Sequence, residues 1–156
     1  MLATEKPLAM RDLTFSDAYG APLSVGSLAG KTLLINLWAT WCAPCREEMP
    51  ALNELQAEMG DDKFQVIAVN VDTGGDDKPK AFLKEIGIDS LGFYREPTLV
   101  LFNSLKRQGL ALGLPVTLLV SKEGCLLAHM NGPAEWASDD AKALIRTAIG
   151  GANRES

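Results

Sequence analysis

LWATWCAPCREEMP, residues Leu37 to Pro50, decides how the rest of the chain is read. Cys42 and Cys45 stand two residues apart with Pro44 between them, Trp41 directly ahead, and Pro50 further along. Before them, Thr32 to Trp38 (TLLINLW) is a nearly continuous apolar run rich in branched residues, which suits a strand buried on both faces. After them, Met49, Leu52, Leu55 and Met59 recur at helical spacing, and Gly60 supplies a stop, so a helix is predicted over Ala43 to Met59. The cysteine pair therefore sits where a buried strand passes into a helix. Cys42 falls at the first turn, where unpaired backbone N–H groups and the positive end of the helix dipole stabilise a thiolate. Cys45 lies one turn on, within sulfur reach of Cys42. Pro44 loses no N–H that a first turn needs, and it stiffens the loop. At such a junction C-x-x-C is a redox signal.

The same alternation continues outward. Phe64 to Val71 (FQVIAVNV) repeats the buried-strand pattern. Asp76 to Gly87 reads as a second helix, with acids and a proline in its first turn and a closing glycine. Glu96 to Gly109 reads as a third, with Pro97 near its start. Pro115 to Met130 holds two apolar runs about a Lys-Glu-Gly turn, a β-hairpin. Ser138 caps a last helix, with Asp139 and Asp140 in its positive first turn and Gly150-Gly151 at its end. Leu13 to Val25 suggests a further hairpin turning at Tyr19-Gly20. No repeat or low-complexity segment interrupts this order. One domain over 1–156 is expected, ordered from Leu8 to Gly150, with frayed tails at Met1 to Lys6 and Gly151 to Ser156.

Composition narrows the function. The chain has 156 residues, 47% of them hydrophobic, which is enough for one well-filled core. With 15 basic against 20 acidic residues, its net charge of −5 repels phosphate backbones and anionic membrane surfaces, so nucleic acid is excluded as a partner. MLATEKPLAM contains no apolar run of signal-peptide length, and no window reaches the length of a bilayer span. Three cysteines are too few for a disulfide-rich scaffold.

The pair has competing readings. As a structural staple it would close a very short loop and stabilise little. As half of a zinc site it would need Cys125 and His129, a C-x3-H set on a strand that nothing directs to the helix start. A peroxidase would want a threonine three residues before its cysteine, and Thr40 is two before. Trp41, bulky and next to the thiolate, belongs to a substrate-facing surface, whereas Trp38 packs in the core. Glu47 and Glu48 read as a solvated helix face near the dipole. Cys125 reads as a small buried hydrophobe. On local sequence Pro115 suits either a strand edge or a tight cis turn.

NLWATWCAPCREEMP, VIAVNVD, GLPVTLLVSKEG and GPAEW together resemble the thioredoxin-like proteins, and among them the exported TlpA/ResA group, most strongly TlpA, over Leu8 to Ile149. The resemblance implies an α/β thioredoxin-like fold: a central mixed β-sheet flanked by helices, with an N-terminal β-hairpin and an insertion before the cis-proline strand. It implies a thiol-disulfide oxidoreductase that reduces protein disulfides, with Cys42 attacking, Cys45 resolving and Pro115 as the cis proline facing them. The backbone of Leu114 would then pair with an extended substrate segment, and the Pro115 ring would keep a metal from bridging the cysteines. No cofactor and no bound metal are implied. The partners implied are disulfide-bearing proteins, copper-site assembly proteins among them, and a membrane thiol reductant as electron donor. The setting implied is cytochrome oxidase copper-centre or cytochrome c maturation in the periplasm. There the protein would be a monomer anchored through an N-terminal segment that this chain lacks. Asn36 departs from the pattern, because thioredoxins keep a buried aspartate there. Proton removal from Cys45 would then fall to water, to the leaving thiolate or to a side chain such as Asp72. The competing class is a copper- or zinc-binding chaperone that uses the cysteines as ligands.

Overall fold

The computed structural model describes residues 2–3 and 8–151. Its strands are β1 (Leu2–Ala3), β2 (Thr14–Ser16), β3 (Pro22–Ser24), β4 (Thr32–Trp38), β5 (Phe64–Asn70), β6 (Tyr94–Arg95), β7 (Val116–Val120) and β8 (Leu126–Asn131). Its helices are α1 (Ala43–Met59), α2 (Asp77–Glu85), α3 (Val100–Arg107) and α4 (Asp139–Gly151). All the strands belong to one sheet in the order β1-β8-β7-β4-β5-β6-β2-β3.

The apolar runs explain the centre of that order. Every residue of β4 is buried, and β5 and β7 on either side are nearly as dry. β4 runs parallel to β5, with Asn36 opposite Ala68, and antiparallel to β7, with Asn36 opposite Thr117. Strands buried on both faces need cover above and below, which is why apolar character continues along them without alternation. Leu34, Leu37 and Ile67 are fully enclosed. Truncating Leu34 to alanine would cost about 2–5 kcal/mol in lost transfer energy and cavity formation.

The mixed α/β sheet flanked by helices agrees with the thioredoxin-like expectation, and the N-terminal hairpin is present as β2–β3, docked on β6. Gly20 takes φ +80° in its turn, and Asp17 Oδ1 accepts from the N–H groups of Tyr19 and Ala21. α1 has the predicted bounds, and the N–H of Gly60 closes its last turn on Gln56 O.

Two expectations are corrected. The third helix starts at Val100, not beside Pro97. The Glu96 carboxylate accepts from the Thr98 N–H, the Thr98 hydroxyl and the Leu101 N–H, so residues 97–99 are wound into a turn beneath it, with Leu99 at φ +66°. At the amino end, Leu2–Ala3 is not frayed: it pairs antiparallel with β8, Leu2 opposite His129. At the other end Gly151, expected in the frayed tail, is the last residue of α4; the remaining tail residues named above, 1, 4–6 and 152–156, lie outside the described residues.

Candidate active site

α1 begins where β4 ends, and the cysteines occupy that join. Cys42 is the N-cap of α1: its N–H donates to Ala39 O, its carbonyl accepts from the Arg46 N–H, and its Sγ accepts from the Cys45 N–H at 3.3 Å. Pro44 stands at the second helical position, where its missing N–H is no loss. The two sulfurs are joined in a disulfide, with the Cα atoms 5.3 Å apart. Access divides the pair. Cys42 retains 5% exposure and Cys45 none, so Cys42 is the member of the pair nearer the surface. Trp41 beside it is 69% exposed, an unusual position for a large aromatic ring, while Trp38 is buried.

The Leu114–Pro115 peptide bond is cis. Pro115 is buried and heads β7, and Val116 lies opposite Leu37, so the proline stands at the same end of the sheet as the cysteine turn. The loop before it is held by Asn131 of β8. Asn131 Oδ1 accepts from the Leu112 N–H at 2.8 Å, and its Nδ2 donates to Leu110 O at 3.1 Å.

Asn36 lies at the middle of β4 and bonds internally, with Nδ2 donating to Glu48 Oε1 at 2.7 Å and to Thr117 Oγ1 at 3.0 Å. Its partner Glu48 corrects the sequence reading. Instead of facing solvent, Glu48 is 3% exposed, on the face of α1 one turn beyond Cys45. Oε2 accepts from the Ala134 N–H and from Trp136 Nε1, both in the GPAEW stretch. Burial pushes its carboxyl above the ordinary value, and the hydrogen bonds from Ala134, Asn36 and Trp136 offset part of that shift. Sequence reasoning missed Glu48 because two charged neighbours, Arg46 and Glu47, make its position look like a wet helix face. The available signal was GPAEW, whose indole needs an acceptor when buried.

On the other side of the turn, Asp72 is 7% exposed and accepts from the Thr40 N–H at 2.8 Å, from the Thr40 hydroxyl and from Asn70 Nδ2. Cys125 is half-buried and not enclosed as expected, because it sits in the turn before β8 opposite Ala9, with its N–H on Ser121 Oγ. Among the described residues, no three His, Cys, Asp or Glu side chains converge on a common point in the way a metal ion needs. No helix among them is long and apolar enough to cross a membrane.

A disulfide-bonded cysteine pair at a helix start, with Cys45 enclosed and Cys42 slightly exposed, is equipped for thiol-disulfide exchange. The pattern of the Redoxin family matches residues 6–145. The thiol-disulfide oxidoreductase ResA of Bacillus thuringiensis is 28% identical over 123 residues, 75% of this chain and 64% of that protein. The thioredoxin-like protein YneN of Bacillus subtilis is 48% identical over 59 residues, 38% of this chain and 34% of that one. The chain thus spans less than two thirds of the length of these curated relatives. A crystal structure of a thiol:disulfide interchange protein of the thioredoxin family from Chlorobium tepidum superposes with a TM-score of 0.74 at 25% identity, covering 95% of this chain and all of that one.

Proposed function

The chain belongs to the Redoxin family, in its thioredoxin-like TlpA/ResA group, and from that premise we propose that it is a thiol-disulfide oxidoreductase that reduces disulfides in other proteins. The observation that carries this reading is the disulfide-bonded pair at the start of α1, with Cys45 enclosed and Cys42 at its outer edge.

In the reduced form the Cys42 thiolate attacks one sulfur of a substrate disulfide. That S–S bond breaks, a mixed disulfide forms, and the first substrate sulfur leaves as a thiolate. Cys45, freed of its proton, then attacks Cys42 Sγ. The Cys42–Cys45 bond closes, the mixed disulfide breaks, and the second substrate thiolate departs. The substrate gains two electrons, and the enzyme is left oxidised. An asparagine cannot take the Cys45 proton. We assign that task to Glu48, whose burial raises its affinity for a proton and whose place on α1 is one turn beyond Cys45. Trp41 and the Leu114 backbone, beside the cis Pro115, serve as the surface on which substrate lies.

The finer reading follows the sequence resemblance: a monomer in the periplasm, anchored there, drawing electrons from a membrane thiol donor and serving cytochrome oxidase copper-centre or cytochrome c maturation. No cofactor takes part in the exchange steps.

Insulin reduction in the presence of dithiothreitol tests the activity. Wild type should precipitate the insulin chains, and Cys42→Ser should abolish the rate. Cys45→Ser should accumulate a mixed disulfide on Cys42, and mass spectrometry of that adduct from a whole-cell extract identifies the client. A reduction potential of roughly −220 to −270 mV is expected, whereas a value near −120 mV would make the protein an oxidant instead.

A further inference from the structure

Asn36 leaves one hydrogen-bonding position unused. Its Nδ2 donates to Glu48 Oε1 at 2.7 Å and to Thr117 Oγ1 at 3.0 Å, but its buried Oδ1 accepts from no group among the described residues. The hydroxyl hydrogen of Thr117 likewise has no acceptor among them. All three side chains are buried, where an unmade hydrogen bond costs more than a made one returns.

The two oxygens of Glu48 are loaded unequally. Oε2 accepts from the Ala134 N–H at 3.0 Å and from Trp136 Nε1 at 2.9 Å, which fills both of its lone-pair positions, whereas Oε1 accepts from Asn36 alone. A proton arriving on the carboxyl therefore lands on Oε1, and the O–H it makes needs an acceptor. With the amide as it stands Oε1 faces Nδ2, which has hydrogens and no lone pair to offer. Half a turn about the Cβ–Cγ bond, a torsion with nearly two-fold symmetry, exchanges Oδ1 and Nδ2 and leaves the amide plane in place. Oδ1 then accepts from Glu48 Oε1 and from the Thr117 hydroxyl. Nδ2 gives up its acceptors, but three groups that protonation would leave unmade are satisfied together: Oδ1, the carboxyl O–H and the Thr117 hydroxyl. Ionisation reverses the balance, because two oxygens 2.7 Å apart with no proton between them repel.

We propose that Asn36 is a positioning residue for the proton of Glu48, its amide holding Nδ2 toward the ionised carboxylate and turning Oδ1 toward the protonated carboxyl. The inference rests on the assignment of Glu48 as acceptor of the Cys45 proton. As the Cys42–Cys45 bond closes, the S–H proton of Cys45 passes to Glu48 Oε1, and it leaves for solvent when Glu48 ionises again. An amide offers a partner in both states, which an ionised aspartate cannot. The titratable groups near Glu48 are Cys45 on its own helix and Glu47 and Glu135, which line with it a cavity of about 410 Å³ between α1 and residues 133–138. β4 and β7 present Asn36 and Thr117, neither of which titrates. Of the cations on the neighbouring elements, Arg46 lies over the Phe82 ring and Lys142 of α4 pairs with Glu58.

NMR of the oxidised protein labelled with 15N and 13C tests this, since the bonded cysteines do not titrate. The carboxyl carbon shift of Glu48 reads its proton, and nuclear Overhauser contacts from the Asn36 Nδ2 hydrogens to the Thr117 side chain read the amide. Those contacts should be present above the Glu48 midpoint and lost below it, in a single transition. Contacts that persist below the midpoint overturn the proposal. Thr117→Val gives a second reading: Thr117 accepts from Nδ2 only beside the ionised carboxylate, so its loss should raise the Glu48 midpoint by about one pH unit, and Thr117→Ser should restore it. A fixed amide would lose the same bond in both states, and an unchanged midpoint in the valine variant also overturns the proposal. Should Thr117→Val fail to fold, the contacts in wild type decide alone. Insulin reduction by the same wild-type protein separates the two readings. Insulin left intact overturns the exchange reading and this inference with it, whereas a fixed amide in an active protein overturns this inference alone.

Discussion

Two buried carboxylates flank the cysteine turn, and they are satisfied in different ways. Asp72, on the sheet side, takes its donors from Thr40 and Asn70, groups at the adjacent ends of β4 and β5. Glu48, on the helix side, takes one donor from the middle of β4 and two from the GPAEW stretch, 86 and 88 positions along the chain. Asp72 braces a turn between neighbours. Glu48 ties three distant segments together, and burial raises its proton affinity. Two acids of similar exposure thus do different work, and the origin of their donors is what separates them.

The hardest blow to this contrast is Asn36→Asp. It replaces the amide that donates to Glu48 by a second carboxyl at the same 2.7 Å contact, between two buried side chains. Two such groups cannot both ionise, so the pair should share a proton at neutral pH and titrate jointly. A stability loss of about 3–5 kcal/mol is expected near pH 7, read from denaturant midpoints, and it should shrink as the pH is lowered and both carboxyls become neutral. Equal midpoints for variant and wild type at pH 7 would mean that Asn36 and Glu48 do not face each other.

Glu48→Gln sharpens the comparison. Because the folded-state pKa of Glu48 lies above its ordinary 4.5, the folded protein keeps a proton that the unfolded chain has lost. Stability should therefore fall as pH rises from about 4.5 to the raised value and be level beyond it. The variant should lack that fall. It should also release substrate from the Cys42 mixed disulfide more slowly, by about 10²-fold if Glu48 takes the Cys45 proton, as loss of a general base commonly produces. A variant that keeps the wild-type resolution rate would remove Glu48 from the exchange and leave it a structural tie.

Thr40→Val should have the smallest effect. It deletes the hydroxyl on Asp72 but keeps the shape and the backbone N–H, so about 1 kcal/mol of stability is at stake, and Thr40→Ser should restore most of it. A loss as large as that of Asn36→Asp would make Asp72 more than a brace.

Much of this arrangement is legible in the sequence, and the exceptions share a cause. Buried strands advertise themselves locally, so Thr32 to Trp38 and Phe64 to Asn70 are placed by their own apolar runs. α1 is bounded by signals within its own ends, the C-x-x-C with its proline and Gly60. Glu48, by contrast, is buried by residues that no local window contains. The start of α3 moves for the same kind of reason: Pro97 would permit a helix, but the Glu96 side chain claims the N–H groups just ahead and delays it to Val100. Cys125 is half-buried in the turn before β8, bridged to Ala9, a residue more than a hundred positions away that no local window contains.

The side-chain amide of Asn131 takes the place of a missing strand for the loop ahead of Pro115, accepting one backbone N–H and donating to one carbonyl. Leu112 is left 84% exposed on a segment whose backbone bonds are nonetheless made. A flexible loop would surrender on the order of 1–2 kcal/mol per residue in conformational entropy at the moment a partner settled on it. Here that freedom is already given up when the protein folds, so a partner that touched Leu112 would meet an ordered surface and be spared the ordering cost.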